Sequence, residues 1–289
     1  MHFSVMAAEA IELLAVRAEG VYLEATAGLG GHTALIAERL TTGLVIANDR
    51  DEQSLALARE NTRPWAERIR FHHGSFGDLR EAVRESGFEQ VDGLLADLGV
   101  SRYQLTSAER GFSFLADGPL DMRMDQTTGM TAADLVNHTA EHALADLIYQ
   151  LGEERRARKV ARAIVRARPI RSTQHLADVV ERAVPRTGRL HPATRTFQAL
   201  RMAVNDEPGE LDRLLEIAPR LVAPGGRIVM ISFMSLDDRK VKTRFRELGV
   251  TGRAKILTKH PLQPGEEETA RNAASRSAKL RAIELLARS

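Results

Sequence analysis

The chain reads as an α/β protein: a doubly wound parallel sheet interrupted by an all-helical insertion. Three observations predict it. Short apolar runs alternate one for one with helical patterns as far as Asp97, no strand pattern occurs from about Arg102 to Glu207, and the alternation resumes at "LLEIAPRLVAPGGRIVMISF", Leu214–Phe233. Strands separated by single helices form parallel sheets covered on both faces.

The elements follow in order. A helix spans roughly Val5–Val16, and a strand, Val21–Glu24, runs into "EATAGLGGHT" (Glu24–Thr33), which packs three glycines into four positions. The next helix runs from His32 to about Leu40. "GLVIAND" is the second strand, ending in Asn48-Asp49, and "DEQSLALAREN" is a helix with Leu55 and Ala58 on one face. "RIRFHH" is the third strand, "DLREAVRES" a helix and "VDGLLAD" the fourth strand, stopping at Asp97. Past the insertion a helix ends before Pro224-Gly225-Gly226, where a turn is required, and a fifth strand runs through Arg227–Phe233. A helix near Asp237–Leu248 and two closing strands able to form a hairpin, "AKILT" and "SAKLRAIELL", complete the pattern.

At 289 residues, 43% hydrophobic and 28% charged, the chain has the composition of a folded globular protein with material for one full core and a second small domain. No apolar stretch approaches a membrane span, and the start, "MHFSVMAAEA", lacks the features of a signal peptide. The absence of cysteine excludes disulfides and thiolate metal sites and fits a reducing, cytoplasmic setting. A formal charge of +2 excludes a polycation, so nucleic-acid binding must rest on local concentrations of charge.

A strand, a glycine-rich turn and a helix make a nucleotide-like site, and three ligands compete for it. A triphosphate loop needs a lysine after its glycines, but His32 and Thr33 follow Gly31. A dinucleotide loop needs a small third residue where Thr33 stands, which weakens that reading without eliminating it. S-adenosylmethionine carries no phosphate; it needs close backbone approach and a carboxylate for its ribose. Asp49, at the end of the second strand, offers that carboxylate, but would equally serve a dinucleotide. The fifth strand, helix and two closing strands favour the methyl donor, because they match a seven-stranded methyltransferase sheet better than a six-stranded dinucleotide sheet.

Specific motifs then narrow the choice. "GLGGH" (Gly28–His32), "DLGVS" (Asp97–Ser101), "ERGFSF" (Glu109–Phe114), "DGPLDMRMD" (Asp117–Asp125), "HPATRTFQALRMAVNDE" (His191–Glu207) and "ISFMSLDDRKVK" (Ile231–Lys242) resemble the bacterial small-subunit ribosomal RNA cytosine-N4 methyltransferase family. The resemblance reaches "SRSAKLR" (Ser275–Arg281), so it covers nearly the whole chain. It implies methyl transfer from S-adenosyl-L-methionine to a cytosine N4 amine in the decoding region of small-subunit rRNA, with the rRNA held within a ribosomal particle. It implies a cofactor site of Gly30, Gly31, His32, Asp49, Phe76, Asp97 and Gln104, with an N–H and the imidazole of His32 near the methionyl group and Phe76 on adenine. No chemistry here calls for a metal, and a homo-oligomer is compatible with the sequence. Two departures stand out: the family usually places aspartate at Glu24 and histidine at Met234. The second motivates an alternative, a cofactor-binding ribosome-assembly factor with weak or no catalysis.

Residues 1–101 with 208–289 are thus expected to bind the donor, and 102–207 to recognise rRNA. Asp97 is the candidate catalytic residue, polarising the acceptor amine or holding the cofactor so close that mutation does not separate the two roles. Asp121 and Arg123 can fold over the target base or form an internal salt-bridged turn. From Glu153 to Arg171 eight basic and two acidic residues leave a local net of +6, and Arg182, Arg186, Arg189, Arg195 and Arg201 continue the basic series. Aromatic residues are only 4% of the chain, so Tyr103, Phe112 and Phe114 are the few candidates for gripping an extruded base.

Overall fold

The computed structural model describes residues 4–186 and 190–287; Arg189 of the basic series lies outside them. The chain divides into two compact units, Met1–Gly99 with Pro208–Ser289, and Val100–Glu207. In chain order the first unit opens with α1 (Ala7–Leu14), β1 (Val21–Glu24), α2 (Gly31–Ala37), β2 (Leu44–Asp49), α3 (Glu52–Asn61), β3 (Ile69–His73), α4 (Leu79–Glu85) and β4 (Val91–Asp97). Next come the helices α5 (Arg102–Thr106), α6 (Ala132–His138), α7 (Glu141–Gly152), α8 (Ala157–Arg166), α9 (Thr173–Ala183) and α10 (Thr194–Val204). The chain ends with α11 (Glu207–Leu221), β5 (Val222–Ser232), α12 (Ser235–Val250), β6 (Ala254–Ile256), α13 (Glu266–Arg271) and β7 (Lys279–Leu285).

The strands form one seven-stranded sheet in the order β3-β2-β1-β4-β5-β7-β6. The first five positions are parallel, and β7 runs antiparallel to both β5 and β6. Alternate residues of each strand serve opposite faces. Leu23, Leu94 and Met230 join the α11–α12 side of the core, whereas Tyr22, Leu95 and Val229 join the α1–α2 side. The chain leaves β1 outward through β2 and β3, then returns to place β4 on the other flank of β1. That reversal opens a crevice at the carboxyl ends of β1 and β4, where ligands of doubly wound sheets bind.

The predicted strand at Arg227 begins earlier in the structure. Val91 pairs with Val222 and Gly93 with Arg227, so Ala223–Gly226 forms an irregular excursion within β5. Gly226 has no room for a side chain there, since a Cβ would lie 2.7 Å from the Asp92 carbonyl oxygen. The closing strands pair antiparallel but make no tight hairpin; the segment between them contains α13. That helix, "EEETAR", has no buried residue and hence no apolar period to announce it.

Val100–Glu207 contains helices and turns, and no strand, among its described residues. Its core gathers Val136, Leu144, Ile148, Val160, Ile164, Leu176, Val180 and Leu200. No helix of the described residues is long and apolar enough to cross a membrane.

Candidate active site

The glycine turn is shaped by its backbone and by what packs beneath it. Gly28 and Gly30 have φ of +52° and +85°, which glycine adopts without strain. At Gly30 a Cβ would meet Thr62 Cγ2 at 2.8 Å and the Ala58 backbone at 3.2 Å, so the turn lies directly on the end of α3. Gly30→Ala should therefore cost about 2 kcal/mol of stability, combining backbone strain with overpacking, and weaken donor binding. A denaturation midpoint equal to that of the parent would contradict this packing. Gly31 opens α2 immediately after it.

The His32 imidazole is held by the chain itself. It is buried, with Nε2 3.1 Å from the Val5 carbonyl oxygen and Nδ1 3.9 Å from Glu24 Oε1. The ring is thus turned into the protein body and ties the N-terminal segment to α2, instead of standing ready for a methionyl group. Glu24, also buried, accepts a hydrogen bond from the Thr33 hydroxyl across the turn. Burial holds the Glu24 carboxyl well above its ordinary range, and the charges of Asp97 and Asp49 add to the effect.

Two further acids lie at the strand ends. Asp49 Oδ2 accepts from the Gly28 N–H at 2.7 Å and Oδ1 from the Asp51 N–H at 2.8 Å. The second strand thereby holds the glycine turn, and each oxygen keeps a lone pair for a diol. Desolvation pushes the Asp49 carboxyl up to about 6. Asp97 ends β4; its backbone N–H donates to the Thr26 hydroxyl at 2.7 Å, while its buried Oδ1 has no hydrogen-bond partner. Desolvation, with the Glu268 charge behind it, pushes Asp97 up to about 7. Glu268 itself accepts from the Met6 N–H at 2.8 Å.

Three clustered carboxyl groups, with the charges of Asp97 and Asp49 bearing on Glu24, make this crevice hostile to polyphosphate and receptive to a cation with N–H donors. S-adenosyl-L-methionine, with its sulfonium, ammonium and vicinal hydroxyls, fits that donor set. The unpartnered Asp97 oxygen is the main evidence for this fit, because a buried acceptor left without a donor is costly unless a ligand supplies one.

The other expected residues are placed as follows. Phe76, half-buried, packs on the sheet core, and its N–H donates to Glu210 Oε2 at 2.9 Å. Gln104 lies in the second unit, where Oε1 accepts from the Ser101 N–H at 2.9 Å in a capping box. Asp121 and Arg123 adopt the internal salt bridge: Nε and Nη2 of Arg123 reach the two carboxylate oxygens at 2.8 and 3.0 Å. Arg195 is exposed on α10 and donates to the Glu153 carbonyl at 3.2 Å. Phe112 and Phe114 are not free to grip a base. The first is buried, and the second stacks inside the unit against His191 and Phe197, at 4.7 and 4.9 Å. Tyr103 and Phe114 are both half-buried.

Sequence reasoning missed Arg110 and Asn205. Arg110 is fully buried, and its Nη2 donates to the carbonyls of Arg123 and Met124, each at 3.0 Å. Asn205 donates to the Met122 carbonyl at 2.7 Å and accepts from the Met124 N–H at 2.8 Å. Between these clamps Met122 has φ of +61°, a strained value for a side-chain-bearing residue. A buried arginine inside "ERGFSF" was the available signal, because such a group must bond something.

The MraW methylase family matches residues 1–286. The chain belongs to that family. It is 74% identical over 285 residues to the Ribosomal RNA small subunit methyltransferase H of Solibacter usitatus, covering 99% of this chain and 100% of that protein. The protein of the same name from Acidobacterium capsulatum is 50% identical over 293 residues, covering 98% of each chain. A solved structure from Clostridium thermocellum, 10% identical, covers 99% of this chain and 100% of that one with a TM-score of 0.50, a likeness of fold alone. The family match and the likeness of fold agree with the α/β sheet described above.

Proposed function

We propose that this methylase moves a methyl group from S-adenosyl-L-methionine to the N4 amine of a cytosine in the decoding region of small-subunit rRNA, in the cytoplasm and within a ribosomal particle. The observation that carries this is the buried, unpartnered Asp97 oxygen at the crevice end of β4. When bound, the donor supplies an electrophilic methyl on a sulfonium sulfur. Gly28–Gly31 bring the backbone close, Asp49 accepts from the ribose diol, and Phe76 lies after the third strand on the adenine side.

A cytosine amine is a weak nucleophile because its lone pair is delocalised into the ring. An acceptor aimed at one of its hydrogens localises that pair and stabilises the positive charge developing on nitrogen. Asp97 is suited to that role, and with a carboxyl near 7 it can also take the proton the methylated nitrogen sheds. The assembly-factor alternative loses its motive: relatives of up to 74% identity are named as methyltransferases. Met234 takes the N-cap position of α12.

The helical unit supplies the rRNA-facing charge in this proposal. On α8, Ala157, Val160, Ala161 and Ile164 are buried while Arg158, Lys159, Arg162 and Arg166 are exposed. Arg182, Arg186 and Arg195 are also exposed, whereas Arg168 and Arg201 are consumed internally, by the Val136 carbonyl and by Glu207. Phosphate contacts give binding that falls steeply with salt. An affinity for small-subunit rRNA that stays constant from about 50 to about 200 mM salt would contradict this assignment. Incubation with methyl-labelled donor and unmodified small subunits tests the activity: label in rRNA is expected, and none with donor bound would restore the assembly factor.

A further inference from the structure

The first unit carries a second basic surface, on α12. Its sequence, "SLDDRKVKTRFRELGV", buries Asp238, Val241, Phe245 and Leu248. Arg239, Lys242 and Arg246 are exposed at i, i+3 and i+7, so they form one stripe along the helix. The other cations of α11 and α12 are all paired: Arg213 with Glu210, Arg220 with Glu216, Lys240 with Asp212 and Arg244 with Glu247. Arg239, Lys242 and Arg246 make no ion pair or side-chain hydrogen bond among the described residues.

Local helix physics does not explain that stripe. Arg239 and Lys242 are an i,i+3 pair and Lys242 and Arg246 an i,i+4 pair, so like charges stand as neighbours and destabilise the helix. Asp238 lies four residues before Lys242, but its carboxylate is taken by Arg281 at 2.6 Å and Lys279 at 3.6 Å. A breach of the local rule on an otherwise charge-paired surface points to an external anion. The stripe spans about 10 Å along the helix, the length over which one nucleic-acid strand presents about three phosphates.

We infer that Arg239, Lys242 and Arg246 form a phosphate-contacting track for the rRNA on the methylase unit itself, separate from the basic helices of the insertion. This rests on the rRNA methylase reading. The track holds backbone and reads no base, so it contributes affinity and salt dependence without choosing the nucleotide.

The test is binding to, and rRNA methylation of, small subunits lacking the modification by the full chain and by its R239Q/K242Q/R246Q variant, across a salt series. The variant is expected to lower the slope of log affinity against log salt by about 2 and to lose about tenfold in affinity at low salt. KM for rRNA should rise, with kcat and donor affinity unchanged. A variant equal to the parent in slope and affinity overturns the track while leaving the methylase reading intact. A parent that methylates no rRNA overturns the reading instead. Equal loss with reversed single charges on α8 and none on α12 also counts against the track, as does binding rescued by anionic lipid vesicles in place of RNA.

Discussion

Asp97→Asn is expected to reduce methyl transfer by about a hundredfold or more and to weaken the affinity for S-adenosyl-L-methionine as well, because the same carboxylate serves donor and acceptor. The asparagine keeps the shape but offers a weaker acceptor and cannot take the proton from the methylated amine. In the parent, kcat/KM should rise with pH through about 7 as Asp97 ionises, and that limb should vanish in the variant. The same substitution should stabilise the fold at alkaline pH. Burial raises the folded-state carboxyl above its unfolded value of 3.8, so its favourable contribution is full below that value and is lost as pH rises through about 7. At pH 8 the parent holds an ionised Asp97 whose buried Oδ1 has no hydrogen-bond partner. Asp97→Asn should then raise the unfolding free energy by about 2 kcal/mol, with little change near pH 4. Near-normal turnover with normal donor affinity would remove Asp97 from the chemistry, and a variant destabilised in alkali would contradict the burial.

Arg110→Met has the second large effect, on the helical unit. Removing the guanidinium leaves the carbonyls of Arg123 and Met124 without their donor inside a buried region. The expected loss is about 3 kcal/mol, read as a lower denaturation midpoint. The segment that carries Asp121, Met122 and Arg123 then loses one of its two clamps, and rRNA methylation should fall with it. Asn205→Ala, which removes the other clamp, should reproduce the loss. Unchanged stability in both variants would show that the Met122 conformation is held by something else.

The sheet was legible because its strands are short apolar runs closed by polar residues, as at Asn48-Asp49 and Asp97, and the helices between them show clear periods. Asp51 gives a further local signal, capping α3 through the Gln53 and Ser54 N–H groups. Elements without such a pattern were not legible. The Ala223–Gly226 excursion depends on register with β4, and α13 has no buried face. In the crevice, Gly30, Asp49 and Asp97 could be named from motif and strand order. The orientation of His32 could not, because the Val5 carbonyl that captures it lies 27 residues away. Phe112 and Phe114, candidates for gripping a base, are placed for a related reason: Arg110, His191 and Phe197, which only the folded unit assembles, pack against them.

The site of methylation decides the central claim. Small subunits from cells lacking the modification, incubated with the protein and methyl-labelled S-adenosyl-L-methionine, would be digested and their nucleotides mapped by mass. The account predicts a single methyl on the exocyclic amine of one cytosine in the decoding region, absent with Asp97→Asn. Label on a ring carbon, on another base, or on a ribose would contradict it.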